Sequence, residues 1–196
     1  MKQLYLLLLL VAFSLTSATA EAYKGYIITK NRRQLTGSIG AITYVGNFTE
    51  VVFINDFGNS YNLRPELIRG FVFERDEEVF AFESLPTDQG WMFLQVVAQG
   101  DNLSLYRSPE EKTAIYIARS GVQAETFKAT EYWIRGKDRP AVRLKRVRYR
   151  KRLRKLFQAK APELAAKIGQ KGYRFKDMVQ IIEEYNAILG RKKYKL

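Results

Sequence analysis

The chain has 196 residues, with 33 lysines and arginines against 20 aspartates and glutamates, no histidine and no cysteine. Without imidazole it lacks the usual general base at neutral pH, the commonest metal ligand and any Ser/His/Asp arrangement. Without thiols it lacks disulfide staples, a thiolate zinc site, a cysteine nucleophile and the lipidated cysteine of a bacterial lipoprotein. Catalysis would have to rest on carboxylates, lysine, tyrosine or serine, and no cofactor or metal is expected.

Met1-Lys2-Gln3 leads into an apolar run over residues 4–13 and then into small residues ending Ala18-Thr19-Ala20. That is the layout of a secretory signal peptide over residues 1–20, with Glu21 as the mature N-terminus and Ala20-Glu21-Ala22 as a second cleavage site. The run is shorter than the ~20 residues of a bilayer span, so cleavage is expected rather than retention as an anchor. The expected address is the periplasm or cell envelope, or the exterior. Charge is split along the rest of the chain. Residues 21–134 carry 11 Lys and Arg against 15 Asp and Glu, a balance of −4, whereas residues 135–196 carry 21 against 5, a balance of +16. Such polarity marks either a surface for anions or a solvated basic tail that pairs with the acidic half.

From Tyr23 to Leu144 the sequence reads as strands, in short β-branched and aromatic runs punctuated by Gly, Asn, Asp and Pro. Six are expected at 25–30, 35–45, 50–55, 59–63, 67–74 and 78–83, packed as a small barrel or roll over residues 21–83. Residues 84–90, with Pro86 and Gly90, read as a linker to an antiparallel β-meander over 91–144. Gly100-Asp101 reads as a tight hairpin turn, and Ser120-Gly121-Val122-Gln123 as a looser one. In the strand at 102–107, Leu103 and Leu105 alternate with Asn102, Ser104 and Tyr106, which predicts one covered face and one wet face.

After Leu144 the period changes from two to 3.6. Tyr149, Leu153, Leu156 and Phe157 fall on one arc of a helix, while Arg146, Arg148, Arg150, Lys151, Arg152, Arg154 and Lys155 cover the rest. A second helix opens at Pro162 beside Glu163 and closes at Gly169, and a third runs over 175–189, with Gly190 as its stop. Residues 191–196 form a basic tail. The whole predicts an α+β protein whose basic helical segment spans 145–190.

Candidate chemistry is sparse. The acidic pairs in Asp76-Glu77-Glu78, Glu110-Glu111 and Glu183-Glu184 would suit a glycosidase only if two carboxylates faced one cleft, and neighbours in sequence need not do so. Gly37-Ser38-Ile39-Gly40 lacks the Lys and the spacing of a phosphate loop or nucleophile elbow. Phe71, Phe73, Phe80, Phe82, Trp91, Phe93 and Trp133 stand at strand spacing and are expected in the core. Seven cations within residues 146–155 repel one another unless an anion or an acidic surface relieves them. Those seven are therefore the candidate binding residues, and nucleic acid is set aside on the ground of export. Anionic lipid, lipopolysaccharide or an acidic envelope protein are the expected partners. The expected function is non-catalytic binding of such a partner, and the alternative is a carboxylate-dependent hydrolase of cell-wall or surface glycans.

A set of short motifs carries a resemblance. Gly25-Tyr26-Ile27-Ile28, Thr36-Gly37-Ser38-Ile39, Val51-Val52-Phe53 and the run from Tyr61-Asn62-Leu63-Arg64-Pro65-Glu66 to Leu67-Ile68-Arg69-Gly70-Phe71 come first. The stretch 100–107, ending Leu105-Tyr106-Arg107, and Ile181-Ile182-Glu183-Glu184-Tyr185-Asn186 follow in the same order. Over nearly the whole chain after residue 20 this resembles the exported, uncharacterised β-rich envelope proteins common in Bacteroidota. The resemblance implies export and the same architecture but no activity. Members often carry Cys before the Pro of the C-terminal helical segment, where this chain has Ala161-Pro162.

Overall fold

The computed structural model describes residues 21–45, 48–108, 111–118, 121–128 and 131–193. Its strands follow the alternation of the sequence: β1 (Tyr23–Thr29), β2 (Gln34–Val45), β3 (Phe48–Asn55), β4 (Ser60–Leu63), β5 (Ile68–Arg75), β6 (Glu78–Thr87), β7 (Gly90–Ala98), β8 (Leu103–Arg107), β9 (Glu111–Ala118), β10 (Gly121–Lys128), β11 (Tyr132–Gly136) and β12 (Val142–Leu144). Helices α1 (Tyr149–Phe157), α2 (Pro162–Lys167) and α3 (Met178–Lys193) follow, α3 being preceded by a 3-10 turn at Phe175–Asp177.

All twelve strands belong to one sheet, whose main path runs β10-β9-β2-β1-β5-β6-β7-β8-β11-β12, with β3 and β4 branching from β2. Nearly every pairing is antiparallel; β2 meets β9 in parallel through the single pair Val45 and Thr113. The path is open, and no ladder closes it into a barrel among the described residues. Residues 84–87 correct the expected linker. They complete β6, in register with β7 from Ser84 against Phe93 to Thr87 against Gly90, so Pro86 and Gly90 mark a hairpin and not a break. Beyond β7 the order β8-β11-β12 is that of a meander, and the β9–β10 hairpin leaves it between β8 and β11 to join β2.

Three apolar clusters hold this sheet. Ile39, Val51, Phe53, Phe71, Phe82 and Phe93 pack between the first strands and β7, and the backbone N–H of Phe93 donates to the buried hydroxyl of Thr49 on β3 at 2.9 Å. A second cluster gathers Tyr44, Leu85, Met92, Leu94, Tyr106 and Trp133. It overturns the expected wet face at residues 102–107, because Tyr106 is only 2% exposed. The third joins Leu103, Leu105, Ile134 and Leu144 of the sheet to Tyr149, Leu153, Phe157, Leu164, Ile181 and Ile182 of the helices. β8 thus lies between two layers, with Leu103 and Leu105 facing helices and Tyr106 facing strands. Trp91 is a further correction: it is 41% exposed, and the ammonium of Lys30 lies 4.9 Å from its ring centroid.

The connection between β7 and β8 is looser than a two-residue turn, since residues 99–102 lie outside the strands. Its shape is set from across the fold by Asn186 of α3. The Asn186 carbonyl oxygen accepts from the N–H of Asn102 at 3.3 Å and of Leu103 at 3.1 Å, while its amide donates to the carbonyls of Leu103 at 2.7 Å and Ile182 at 2.9 Å. This contact explains Gly100, where an added Cβ would stand 2.2 Å from the Asn186 amide nitrogen. At the chain's end α3 does not stop at Gly190: that residue has no positive φ, and the helix continues to Lys193. Part of the expected tail is therefore helical, and residues 194–196 lie outside the described residues, as do residues 1–20.

Asn186→Ala removes one side of four hydrogen bonds, two of them donated by the N–H groups of Asn102 and Leu103 at the start of β8. It should lower stability by about 1–3 kcal/mol in urea unfolding. Equal midpoints for variant and wild type would show that the loop keeps its shape unaided.

Candidate functional site

The basic helix α1 is placed by three apolar residues. Tyr149, Leu153 and Phe157 are buried at i, i+4 and i+8, and each such side chain contributes roughly 1.5–3 kcal/mol when fully removed from water. Leu156, expected on the same arc, stays 37% exposed. Phe157 stacks on Tyr185 of α3, centroids 4.3 Å apart. With that stripe fixed, the other positions of α1 must point outward.

The seven predicted cations then separate. Arg154 donates to the carbonyl of Ile168 at 2.7 Å and Arg152 to that of Arg143 at 3.1 Å. Arg150 lies against Gly169, where a Cβ would come within 2.9 Å of its Nε; the φ of +97° there is one that glycine takes freely. Arg154 holds the segment that follows α2 while Arg150 lies beside it, and Arg152 covers a backbone acceptor of the sheet's last strand. Arg148 sits at the N-cap of α1 without a capping side-chain bond, and Lys151 is exposed. Lys155 lies with Arg152 on a groove toward β12. Arg146 alone of the seven lines the cavity at the N-terminal end of α1.

That cavity, about 1040 Å³, lies between β12, the N-terminal end of α1 and the 3-10 turn. Arg143, Lys145, Arg146, Arg174 and Lys176 line it, against a single carboxylate among the described residues, that of Glu131. Glu131 is already in an ion pair with Arg143. The 3-10 turn is anchored by Phe175, whose ring meets Tyr132 at 5.3 Å and Tyr149 at 5.4 Å, edge to face in each case. The Asp177 carboxylate accepts from the N–H of Arg174 at 2.9 Å. Fixing Phe175 inward leaves its neighbours, Arg174 and Lys176, at the cavity. A smaller cavity of about 350 Å³ shares Arg146, Arg174 and Phe175 with it and reaches the start of α1. That helix has no acidic residue in its first turn, so its unsatisfied N–H groups add to the positive field.

Arg143, Lys145, Arg174 and Lys176 were not among the residues singled out from sequence. The signal that could have found the last two is an aromatic flanked by cations directly before a helix, Arg174-Phe175-Lys176-Asp177.

The acidic groups are arranged differently. Asp76 and Glu77 form the exposed β5–β6 turn with φ of 53° and 64°. Glu184 pairs with Lys167 at 3.0 Å, and this contact raises the Lys167 ammonium above its ordinary pKa. Glu83 accepts from Tyr106 at 2.9 Å and from Gln99 at 2.8 Å; burial, then the Glu83 charge, pushes the Tyr106 phenol up to about 12. Glu110 lies outside the described residues. Among the described residues, the cavities at α1, at β4 and at the β6–β7 turn each hold at most one carboxylate. Among the described residues no group of three or more Asp or Glu could hold a metal ion, and no helix is long and apolar enough to cross a membrane.

No family model matches the chain, and no match is found among curated proteins or solved structures.

The contrast within α1 can be tested by substitution. Arg154→Gln loses the bond to Ile168 and should cost about 1 kcal/mol, whereas Lys151→Gln should stay within about 0.5 kcal/mol of wild type. Thermal unfolding of the two variants measures this, and equal losses would mean that α1 is held by its stripe alone.

Proposed function

We propose that this is an exported, non-catalytic protein of the cell envelope that holds an anionic surface through the basic cavity between β12, α1 and the 3-10 turn. One observation carries the reading: five cations converge on a single cavity where the described residues supply one carboxylate, Glu131, already paired with Arg143. The charges are also placed at internal expense. Cations at Arg146, Arg148 and Arg150 crowd the positive end of a helix, a position that ordinarily disfavours them by about 0.3–1 kcal/mol each. An anion in the cavity would relieve that cost. In this reading the first seven strands curl into a roll that serves as scaffold, supported by the Thr49 to Phe93 hydrogen bond.

Anionic lipid headgroups fit the cavity better than a small metabolite, because its cations line an open rim. Export rests on the residues before Glu21 and on the resemblance to Bacteroidota envelope proteins. N-terminal sequencing of protein recovered from cells should read Glu21 first, and recovery of intact Met1 or Lys2 would remove this part of the reading.

Co-sedimentation with vesicles tests the cavity itself. Replacing Arg146, Arg174 and Lys176 by Gln should weaken binding to phosphatidylglycerol vesicles at least tenfold, given roughly 1 kcal/mol per cation near an anionic surface. Lys24→Gln with Arg33→Gln, on the opposite half of the chain, should leave it unchanged. Equal binding of the triple variant, or equal binding of wild type to neutral phosphatidylcholine vesicles, would overturn the proposal.

A further inference from the structure

A second groove of about 610 Å³ lies on the other flank of α1, toward the β11–β12 connection. Its chemistry differs from that of the basic cavity. Its apolar lining runs from buried Ile134 and Tyr185 through half-buried Val142 to exposed Leu156, Ala159 and Pro140. Around that lining stand Lys137, Arg139, Arg152, Lys155 and Lys160, and no carboxylate lines it among the described residues. Leu156 is the member of the α1 stripe that folding leaves partly in water. Its apolar surface is the part of that stripe the protein does not itself cover.

Apolar surface ringed by one sign of charge selects an occupant with the complementary pattern: a hydrocarbon body and an anionic end. The volume falls within the roughly 300–1,000 Å³ of small-molecule sites. A peptide adding as a further strand is disfavoured, because the backbone carbonyl of Arg143 on β12 already accepts from Arg152, and strand addition draws its affinity from such edge groups. We infer that this groove binds the acyl chain of a single-chain anionic amphiphile, with the chain on Leu156, Val142 and Ile134 and the head at the rim that includes Lys155. This site is separate from the basic cavity and does not depend on the reading given to it.

Calorimetric titration of the purified protein with decanoate, below its micelle-forming concentration, tests the inference. Decanoate should saturate at one per chain. Hexanoate, four methylenes shorter, should bind at least tenfold more weakly, since each methylene withdrawn from water is worth up to roughly fourfold in affinity. The uncharged 1-decanol should bind at least fivefold more weakly. Leu156→Gln should reduce decanoate affinity at least fivefold, and Ala159→Glu, at an exposed position, should abolish binding should the first variant fold poorly. Lys155→Gln should weaken binding and flatten its salt dependence, whereas the Arg146, Arg174 and Lys176 variant should bind as wild type. The inference is overturned by the absence of saturable binding, by 1-decanol binding as tightly as decanoate, or by an unaffected Ala159→Glu variant. Hexaglutamate binding as tightly as decanoate would overturn it too, by showing recognition of charge without a chain.

Discussion

The burial of Tyr149, Leu153 and Phe157 against Leu144, Ile134 and the α3 residues Ile182 and Tyr185 decides where every charge of the C-terminal half can go. Seven cations in residues 146–155 would, in an isolated helix, repel at each i, i+4 pair by about 0.2–0.5 kcal/mol and meet the wrong end of the dipole. Nine residues are also fewer than an isolated helix needs to be stable in water. Three buried side chains at roughly 1.5–3 kcal/mol each exceed that repulsion. The helix therefore owes its existence to packing, and the packing leaves the cations no direction but outward.

Outward is not uniform. Arg150, Arg152 and Arg154 turn back onto the protein, toward Gly169 and the carbonyls of Arg143 and Ile168, and join α1 to its neighbours. The cavity is instead supplied by residues brought from three places: Arg143 from β12, Lys145 and Arg146 from the turn before α1, and Arg174 and Lys176 from the 3-10 turn. Phe175 links these sources, because its contacts with Tyr132 and Tyr149 tie the 3-10 turn to both sheet and helix. The Asn186 contacts with residues 102 and 103 extend the same tie from α3 to the β7–β8 loop. A rigid frame of this kind can hold like charges close together that would otherwise move apart.

Much of the fold could be read from the sequence, and the reasons are local. Alternation in pairs such as Phe71 and Phe73 or Phe80 and Phe82, broken by turns such as Arg75-Asp76-Glu77, placed the first five strands to within a few residues, whereas β10 begins at Gly121, inside the stretch expected as a loose turn. The 3.6 period of Tyr149, Leu153 and Phe157 placed α1. What was not legible depends on partners distant in sequence. Nothing in Tyr106 says that a layer containing Tyr44 and Leu85 will cover it, and nothing in Pro86 says that β6 continues through it to pair with Trp91. Gly190 has the residue type of a stop, but α3 simply runs on. The basic helix was legible as a charge pattern, while its division into anchoring arginines and cavity residues required knowing that Gly169 and Ile168 lie beside it.

The proposed anion site is the cavity and not the basic sequence at large. The direct measurement is a backbone amide NMR titration with pyrophosphate at low ionic strength. Saturable shifts are expected at residues 143–146 and 174–176, with little change at residues 151 and 160. Shifts spread evenly over the lysines and arginines of residues 135–193, growing linearly without saturation, would contradict it.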